Sequence, residues 1–350
     1  MLRNYLTVAL RNVRKYKGYS FINITGLAIG LTCFILIILF VLDEFSYDRH
    51  HTYADDIYRV EVDIRTTQGF QQTALSPSAW APALVADYPE VVSAVRLKPP
   101  NQKWMVGRDA LQFYEKGVAF ADSSVFDVFT IPLVRGNPET ALDAPFRMVI
   151  SEAAAAKYFG TEDPMGQTIA LDSQYEFEIT GIMEDMPRSG HFYFDFLPSI
   201  STLSQVPIYG NTNFLDLQFP VMYTYVRLRG DFPASTLEEK MPAFVERYVA
   251  AQFPLSDIGF EVNVYLRPLT DIHLHSRREN EIEPNGDIAT VYIFLAVALF
   301  ILVIASINFM NLATARSASR AKEVGMRKVV GAQRGHLILQ FLGESVLLGG

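Results

Sequence analysis

Cysteine is nearly absent from the chain. Cys33 is the only one in 350 residues, and it lies inside an apolar run, so no intrachain disulfide staples the remainder, which must be stabilised by its own core. Charge is missing from two long stretches, residues 18–42 and 288–315, which hold no Asp, Glu, Lys or Arg. At ~1.5 Å rise per residue either stretch, as a helix, outlasts a hydrocarbon core of ~30 Å. Also lacking are the G-x-S-x-G elbow, the H-E-x-x-H helix and the G-x-x-x-x-G-K-[ST] loop, so no standard hydrolase, zinc-protease or P-loop ATPase signature is written here.

What remains is arranged by charge. Residues 1–42 carry five basic and no acidic side chains, and residues 288–350 carry six basic ones against Glu323 and Glu344. Residues 43–287 therefore hold 19 basic and 36 acidic side chains within a chain of net charge −8. Basic flanks stay on the cytoplasmic side of a membrane. Arg3, Arg11, Arg14, Lys15 and Lys17 precede the first apolar run, and Arg316, Arg320, Lys322, Arg327 and Lys328 follow the second. Both ends are thus expected inside, with 43–287 outside, in the inner membrane. A cleaved signal peptide is disfavoured, because the run exceeds an h-region and Asp43-Glu44-Phe45 is no small-residue cleavage site. An exported acidic domain is also a poor partner for nucleic acid.

Before the first run, Leu2, Tyr5, Leu6, Ala9, Leu10, Val13 and Tyr16 repeat at three and four. That stripe predicts either an amphipathic helix over 1–17 lying on anionic membrane lipids or a helical extension of the span. Between the spans, short strands and helices alternate, which predicts a large α+β extracytoplasmic domain. Residues 57–64 place Ile57, Arg59, Glu61 and Asp63 on one parity and Tyr58, Val60, Val62 and Ile64 on the other, the alternation of a half-buried strand. Ser76-Pro77 is expected to start a helix over 79–87, followed by a strand over 91–97, and 111–120 and 126–133 are expected to be extended. Residues 147–182 carry the clearest unit. A short apolar strand leads to Ser151 as N-cap, the helix former Glu152-Ala-Ala-Ala-Ala-Lys-Tyr-Phe159, Gly160 as C-cap, and two further strands. Beyond it, 198–213 reads as a loop, 219–229 as a strand, 237–253 as helical and 260–266 as a strand.

Candidate chemistry in the exported part is thin. His273 and His275, two apart on an expected strand, could face one metal, and His50-His51 could add ligands, yet no third ligand stands at a known spacing. A polar strand face explains them as well. The informative stretch follows the second span, where basic residues mix with Gly325 and Gly331 and apolar residues return over 337–342. This predicts a short cytoplasmic elbow over 316–336 between a span at 288–315 and the start of a third at 337–350. Since residue 350 comes too soon for that third run to cross, the sequence is expected to be part of a longer polytopic protein.

Here the motifs become specific. Arg320-Ala-Lys-Glu-Val-Gly-Met-Arg-Lys-Val-Val-Gly-Ala332, followed by Gln340-Phe-Leu-Gly-Glu-Ser345, resembles the signature of the MacB/FtsX family of ABC-transporter permeases. Ile57-Tyr-Arg-Val60, Val149-Ile-Ser-Glu152, Lys157-Tyr-Phe-Gly160, Pro164-Met-Gly166 and Leu269-Thr-Asp-Ile-His-Leu-His-Ser276 are similar to motifs of that family's periplasmic core domain. The resemblance implies membrane α-helical spans plus a MacB-type periplasmic core domain over 43–287, with no catalytic, metal or cofactor site of its own. ATP would be bound by a cytoplasmic partner subunit docking at Glu323, Gly325, Arg327, Lys328, Gly331 and Ala332, the glycines allowing a turn and close backbone approach. It also implies a dimer or pairing with a second permease unit, and a periplasmic adaptor or cargo; relatives handle drugs, peptides, lipoproteins or signals. Two other classes share the layout: a two-span receptor, whose second span would run into a long heptad helix, and a membrane-anchored binding or assembly protein that needs no ATPase.

Overall fold

The computed structural model describes residues 17–67, 69–99, 103–206, 219–250 and 259–329. The stripe over 1–16, Gly331, Ala332 and the apolar return over 337–350 lie outside the described residues. The chain divides into two units, Met1–Phe45 with Ile288–Gly350, and Ser46–Asp287.

In the first unit the uncharged runs form two helices, Lys17–Glu44 and Ile288–Val329. Their apolar portions, Ile24–Glu44 and Ile288–Asn308, are long enough to cross a membrane. The helices pack on each other through small residues, as helices in lipid do when no hydrophobic force drives them together. Gly26 and Gly30 stand one turn apart, and a Cβ built on Gly30 would lie 3.0 Å from the Ala305 methyl. One built on Gly26 would lie 3.4 Å from Asn308 Nδ2. On the second helix the buried Val291, Ala298 and Ala305 recur every seven residues, the spacing that keeps one seam toward a neighbour. Phe40 meets Phe294 edge-on at 5.3 Å. Ile22, Leu36, Leu39, Phe300 and Ile304 stay exposed, a surface suited to lipid rather than water.

The second helix does not stop near Ala315. It continues as one element to Val329, so Gly325 sits inside a helix and not at a turn. The reason is local: Ala, Arg, Lys, Glu and Met dominate 313–329, and a lone glycine, at about 1 kcal/mol against alanine, cannot end a run of strong helix formers.

The second unit holds two sheets. In the first, Glu261–Pro268, Ile57–Thr66, Pro220–Leu228, Val91–Lys98 and Phe120–Ala121 follow in that order, all antiparallel, with Gly69–Thr73 and Ser76–Pro77 attached beside them. In the second, the order is Phe196–Pro198, Arg147–Ser151, Tyr175–Met183, Thr168–Leu171, Trp104–Arg108, Leu111–Glu115, with Leu133–Gly136 on Tyr175–Met183. Its parallel pair joins Arg147–Ser151 to Tyr175–Met183, a connection that needs a crossover, here through the helix Glu152–Phe159. That unit is the one expected. Ser151 Oγ accepts from Ala154 N at 3.0 Å, and Gly160 adopts φ +59° as its N–H bonds Ala156 O. The helix buries Ala154, Tyr158 and Phe159 against Met148, Ile150, Phe177 and Phe196. Trp80–Asp87 and the turns over 234–245 cover one face of the first sheet, packing Trp80, Leu84, Leu237 and Phe244 on Val60, Val62 and Val226.

Three local expectations change. Ser76 does not cap a helix; it is a buried strand residue whose Oγ bonds Met222 O at 3.4 Å, and the helix begins at Trp80 after Ala79. Within 126–133, Val125–Val128 forms a helical turn, closed by Val128 N on Ser124 O at 3.1 Å and Phe129 N on Val125 O at 2.9 Å. His273 and His275 lie on the short helix Ile272–His275 rather than a strand. Gly30→Val should force the spanning helices apart and cost about 1–3 kcal/mol as an overpacked contact does. The melting temperature of the detergent-solubilised chain should fall, while Gly18→Val, with nothing within 4 Å, should leave it unchanged.

Candidate functional site: where the chain enters and leaves the exported domain

The alternation of Ile57–Thr66 reads as one apolar and one water-facing side. In the fold both sides are buried: Arg59 and Glu61 are 0% exposed and Asp63 6%. Charges removed from water must be paired and hydrogen-bonded, and these are, with only the Arg59 Nε among their nitrogens left without a partner. Arg59 Nη1 donates to Glu281 Oε2 at 2.6 Å, and its Nη2 donates to Glu61 Oε1 at 2.7 Å, Glu281 Oε1 at 2.8 Å and Ser276 Oγ at 2.9 Å. Glu61 also accepts from Arg267 Nε at 2.8 Å and Arg278 Nε at 2.7 Å. Arg278 reaches Asp63 as well. Arg59, Arg267 and Arg278 thus face Glu61, Asp63 and Glu281, and the cluster is charge-balanced. Burial alone would lower the Arg59 pKa, but Glu281, Tyr225 and Glu61 carry it above its ordinary value. Burial would raise Glu61, yet Arg59, Arg267 and Arg278 hold it below the usual carboxylate range.

Ser276, Arg278 and Glu281 belong to the segment that leads out of the domain toward the second span. A second buried centre ties down the segment that enters from the first. His191 lies on two partners: its Nδ1 donates to Asp48 Oδ1 at 2.9 Å, and its Nε2 lies 2.7 Å from the Tyr225 hydroxyl. Its backbone N–H adds a bond to Asp48 Oδ1 at 3.1 Å. Burial would raise the Asp48 pKa, and the His191 pairing lowers it on balance. Asp, His and a hydroxyl in line could suggest a proton relay, but Asp48, His191 and Tyr225 are respectively 1%, 4% and 0% exposed. A substrate cannot reach the hydroxyl, so the chain of bonds is structural.

The two centres share one foundation. Arg59 and Tyr225 are direct cross-strand partners in the first sheet. The entering segment is held through Asp48 and His191 on Tyr225, and the leaving segment through Glu281 and Ser276 on Arg59. The segments also touch each other, Tyr47 stacking on His273 with ring centroids 3.5 Å apart and 4° between planes.

The histidines expected as metal candidates are dispersed. His273 is buried in that stack, whereas His275 is close to Asp271 at 3.7 Å and half-exposed. His50 and His51 border an open cleft of about 180 Å³ with Thr130, Glu184, Met186 and Phe192. Burial pushes the His51 imidazole down to about 3, and its Nδ1 accepts from Thr130 N at 3.1 Å, so it is held neutral. No three His, Cys, Asp or Glu converge as a metal site among the described residues. Of the expected docking residues, Glu323, Gly325, Arg327 and Lys328 fall on the helical backbone of Ile288–Val329, Glu323 and Arg327 one turn apart. The Arg59 and Tyr225 centres were missed from sequence; the available signal was that 59–63 and 277–281 each mix basic and acidic side chains.

Comparison with known proteins matches residues 20–244 to the MacB-like periplasmic core domain and residues 295–350 to the FtsX-like permease C-terminal region. The macrolide export ATP-binding/permease protein MacB of Bdellovibrio bacteriovorus is 26% identical over 206 residues, covering 57% of this chain and 28% of the relative. That of Hahella chejuensis is 24% identical over 266 residues, covering 74% of this chain and 35% of the relative. The chain thus spans roughly a third or less of these relatives' lengths. A crystal structure of a domain of a putative permease from Porphyromonas gingivalis superposes with TM-score 0.54 at 22% identity, over 62% of this chain and 91% of that one. It shares the fold of the exported domain.

Two expectations test the buried cluster. Arg59→Met strands Glu61 and Glu281 without their shared cation and should cost about 3–5 kcal/mol, read as a lowered melting temperature of the purified chain. Arg65→Met, whose side chain is 67% exposed and 3.9 Å from Glu261, should change it little. Glu61 has its folded pKa below the ordinary 4.5, so its stabilisation is complete above that value and is lost as pH falls through the folded one. The melting temperature should therefore drop on acidification from about pH 5 to about pH 3, and less steeply in Glu61→Gln than in the parent.

Proposed function

This chain belongs to the MacB/FtsX family of ABC-transporter permeases, and we propose from that premise that it couples ATP hydrolysis by a separate cytoplasmic ATPase to movement of its extracytoplasmic domain. The movement would export or extract cargo. The observation that carries the reading is the match of residues 295–350 to an FtsX-like permease region, and the helix Ile288–Val329 supplies the stiff element such coupling needs. Its 42 residues at ~1.5 Å each reach far past a hydrocarbon core of ~30 Å. A continuous helix passes displacement along its axis, and the glycine within it does not interrupt the rod. With basic flanks holding both ends of the described unit inside, its far end is cytoplasmic and its near end continues into the segment gripped by Arg59.

In this reading Glu323, Gly325, Arg327, Lys328, Gly331 and Ala332 form the docking surface for the ATPase. Charged members pair with a groove on that partner, and Gly325 lets backbone approach backbone on the rod. The match of residues 295–350 to an FtsX-like permease region favours this over a two-span receptor or an ATPase-independent anchor. At the outer end, strain arriving on either segment is delivered to the Arg59–Tyr225 pair, so the domain moves from one point of its sheet.

Glu323→Lys reverses a docking charge and should reduce transport-coupled ATP hydrolysis about 10-fold or more, as loss of a desolvated interfacial ion pair does. Insertion, checked by protease protection of 43–287 in sealed vesicles, should be unaffected. Full ATPase coupling in that variant at normal expression would remove the docking assignment.

A further inference from the structure

The cleft bordered by His50 and His51 has three walls: the segment entering the domain, residues 130–132, and residues 184–192. Backbone bonds tie these walls together. Asp48 N donates to Ser189 O at 2.8 Å, Glu184 N to Pro132 O at 3.0 Å, and Thr52 N to Thr130 Oγ1 at 2.8 Å. A cleft already held in shape loses little freedom on filling, the condition under which small ligands bind well.

Its polar groups are unequal in what they still need. His51 is 5% exposed, and its Nδ1 is filled by Thr130 N. Burial holds the imidazole neutral, so the ring proton sits on Nε2. That N–H has no partner among the described residues and is not sealed from solvent; it opens on the cleft as a donor of fixed direction. Glu184 is exposed at the rim, and its carboxylate makes no hydrogen bond or ion pair. Asp185 adds a second negative charge, with Oδ1 accepting from Ala153 N at 3.0 Å. Among the described residues no Lys or Arg lines the cleft. Arg188, in the same loop, lies over the Tyr193 ring at 4.0 Å. Met186 and Phe192 supply apolar lining.

We propose that this cleft binds a small organic amine that carries an oxygen acceptor and an apolar body of about one ring. The ammonium meets Glu184, the oxygen accepts from His51 Nε2–H, and the body packs on Met186 and Phe192. Other classes fit less well. An anion would meet two carboxylates and no lining cation, a metal ion finds no three converging ligands among the described residues, and a purely apolar molecule would leave the His51 donor unpaired.

Size sets the limit on the occupant. An apolar cavity of ~150 Å³ holds one benzene, whereas drug-sized ligands take sites of ~300 Å³ or more. The cleft, at about 180 Å³, belongs with the first. Its occupant is therefore a ligand that acts on the domain and not a bulky transported molecule: it ties the entering segment to two loops and stabilises the domain by mass action. The inference does not depend on the ATPase coupling proposed above.

The test titrates the full chain in detergent with tyramine, which has all three features, by isothermal calorimetry, and follows the melting temperature in parallel. Saturable binding at one site, with a raised melting temperature, is expected. Ethanolamine lacks the ring, phenethylamine the oxygen and 4-ethylphenol the charge, and each should bind about 10-fold or more weakly. Glu184→Gln changes an exposed side chain without partners, so the unliganded melting temperature should stay the same while tyramine binds about 10-fold more weakly. Glu184→Lys should abolish tyramine binding, and Glu176→Gln, exposed on the second sheet, should leave it intact. Absence of saturable tyramine binding, equal binding of any of the three partial analogues, or binding indifferent to Glu184→Lys would overturn the proposal.

Discussion

A guanidinium with no exposed surface sits at the centre of this structure, and the rest of the exported domain is arranged around keeping it paired. Arg59 can be buried only because Glu61 and Glu281 accept from it and Ser276 supplies a further oxygen. Glu61 in turn needs Arg267 and Arg278. Removing water raises the strength of each bond and also the penalty for any that is missing. The cluster therefore admits one arrangement of the strands and of the segment leading to the second span. An apolar core at the same position could be as stable, but it would tolerate sliding.

The cross-strand pairing of Arg59 with Tyr225 makes this constraint relevant to function. The segment from the first span and the segment to the second are the two places where a membrane motion can reach the domain. Both end in buried polar contacts on that pair. Contacts fixed in distance and direction transmit a displacement, whereas a purely apolar contact can absorb it by repacking. The long second helix Ile288–Val329 would supply the other requirement of the proposed coupling, a stiff element.

The spanning helices illustrate the opposite solvent logic. Their small residues, Gly26, Gly30, Ala298 and Ala305, make the contacts, and their large ones, such as Phe21 and Phe300, face outward. In water this would be an inverted molecule. In hydrocarbon the large side chains gain nothing by hiding, so close backbone approach decides the packing.

The sequence by itself determined the two spans, their bracketing of an acidic α+β domain and the strand–helix–strand–strand unit over 147–182. Each depends on length, charge asymmetry or the spacing of apolar residues and caps, all of which act within a few turns of chain. Only the tertiary structure decided that the charged row of Ile57–Thr66 is interior, since its partners lie far along the chain: Arg59 and Glu281 are 222 residues apart. The same holds for Asp48 and His191, 143 residues apart, and for His273, taken from an expected strand into a helical turn and a stack on Tyr47. Alternation shows that a strand has two faces; what covers each is set by segments that periodicity does not connect to it. The helix running on through Gly325 was written locally, in the residues around that glycine, and the structure shows that their combined propensity outweighs it.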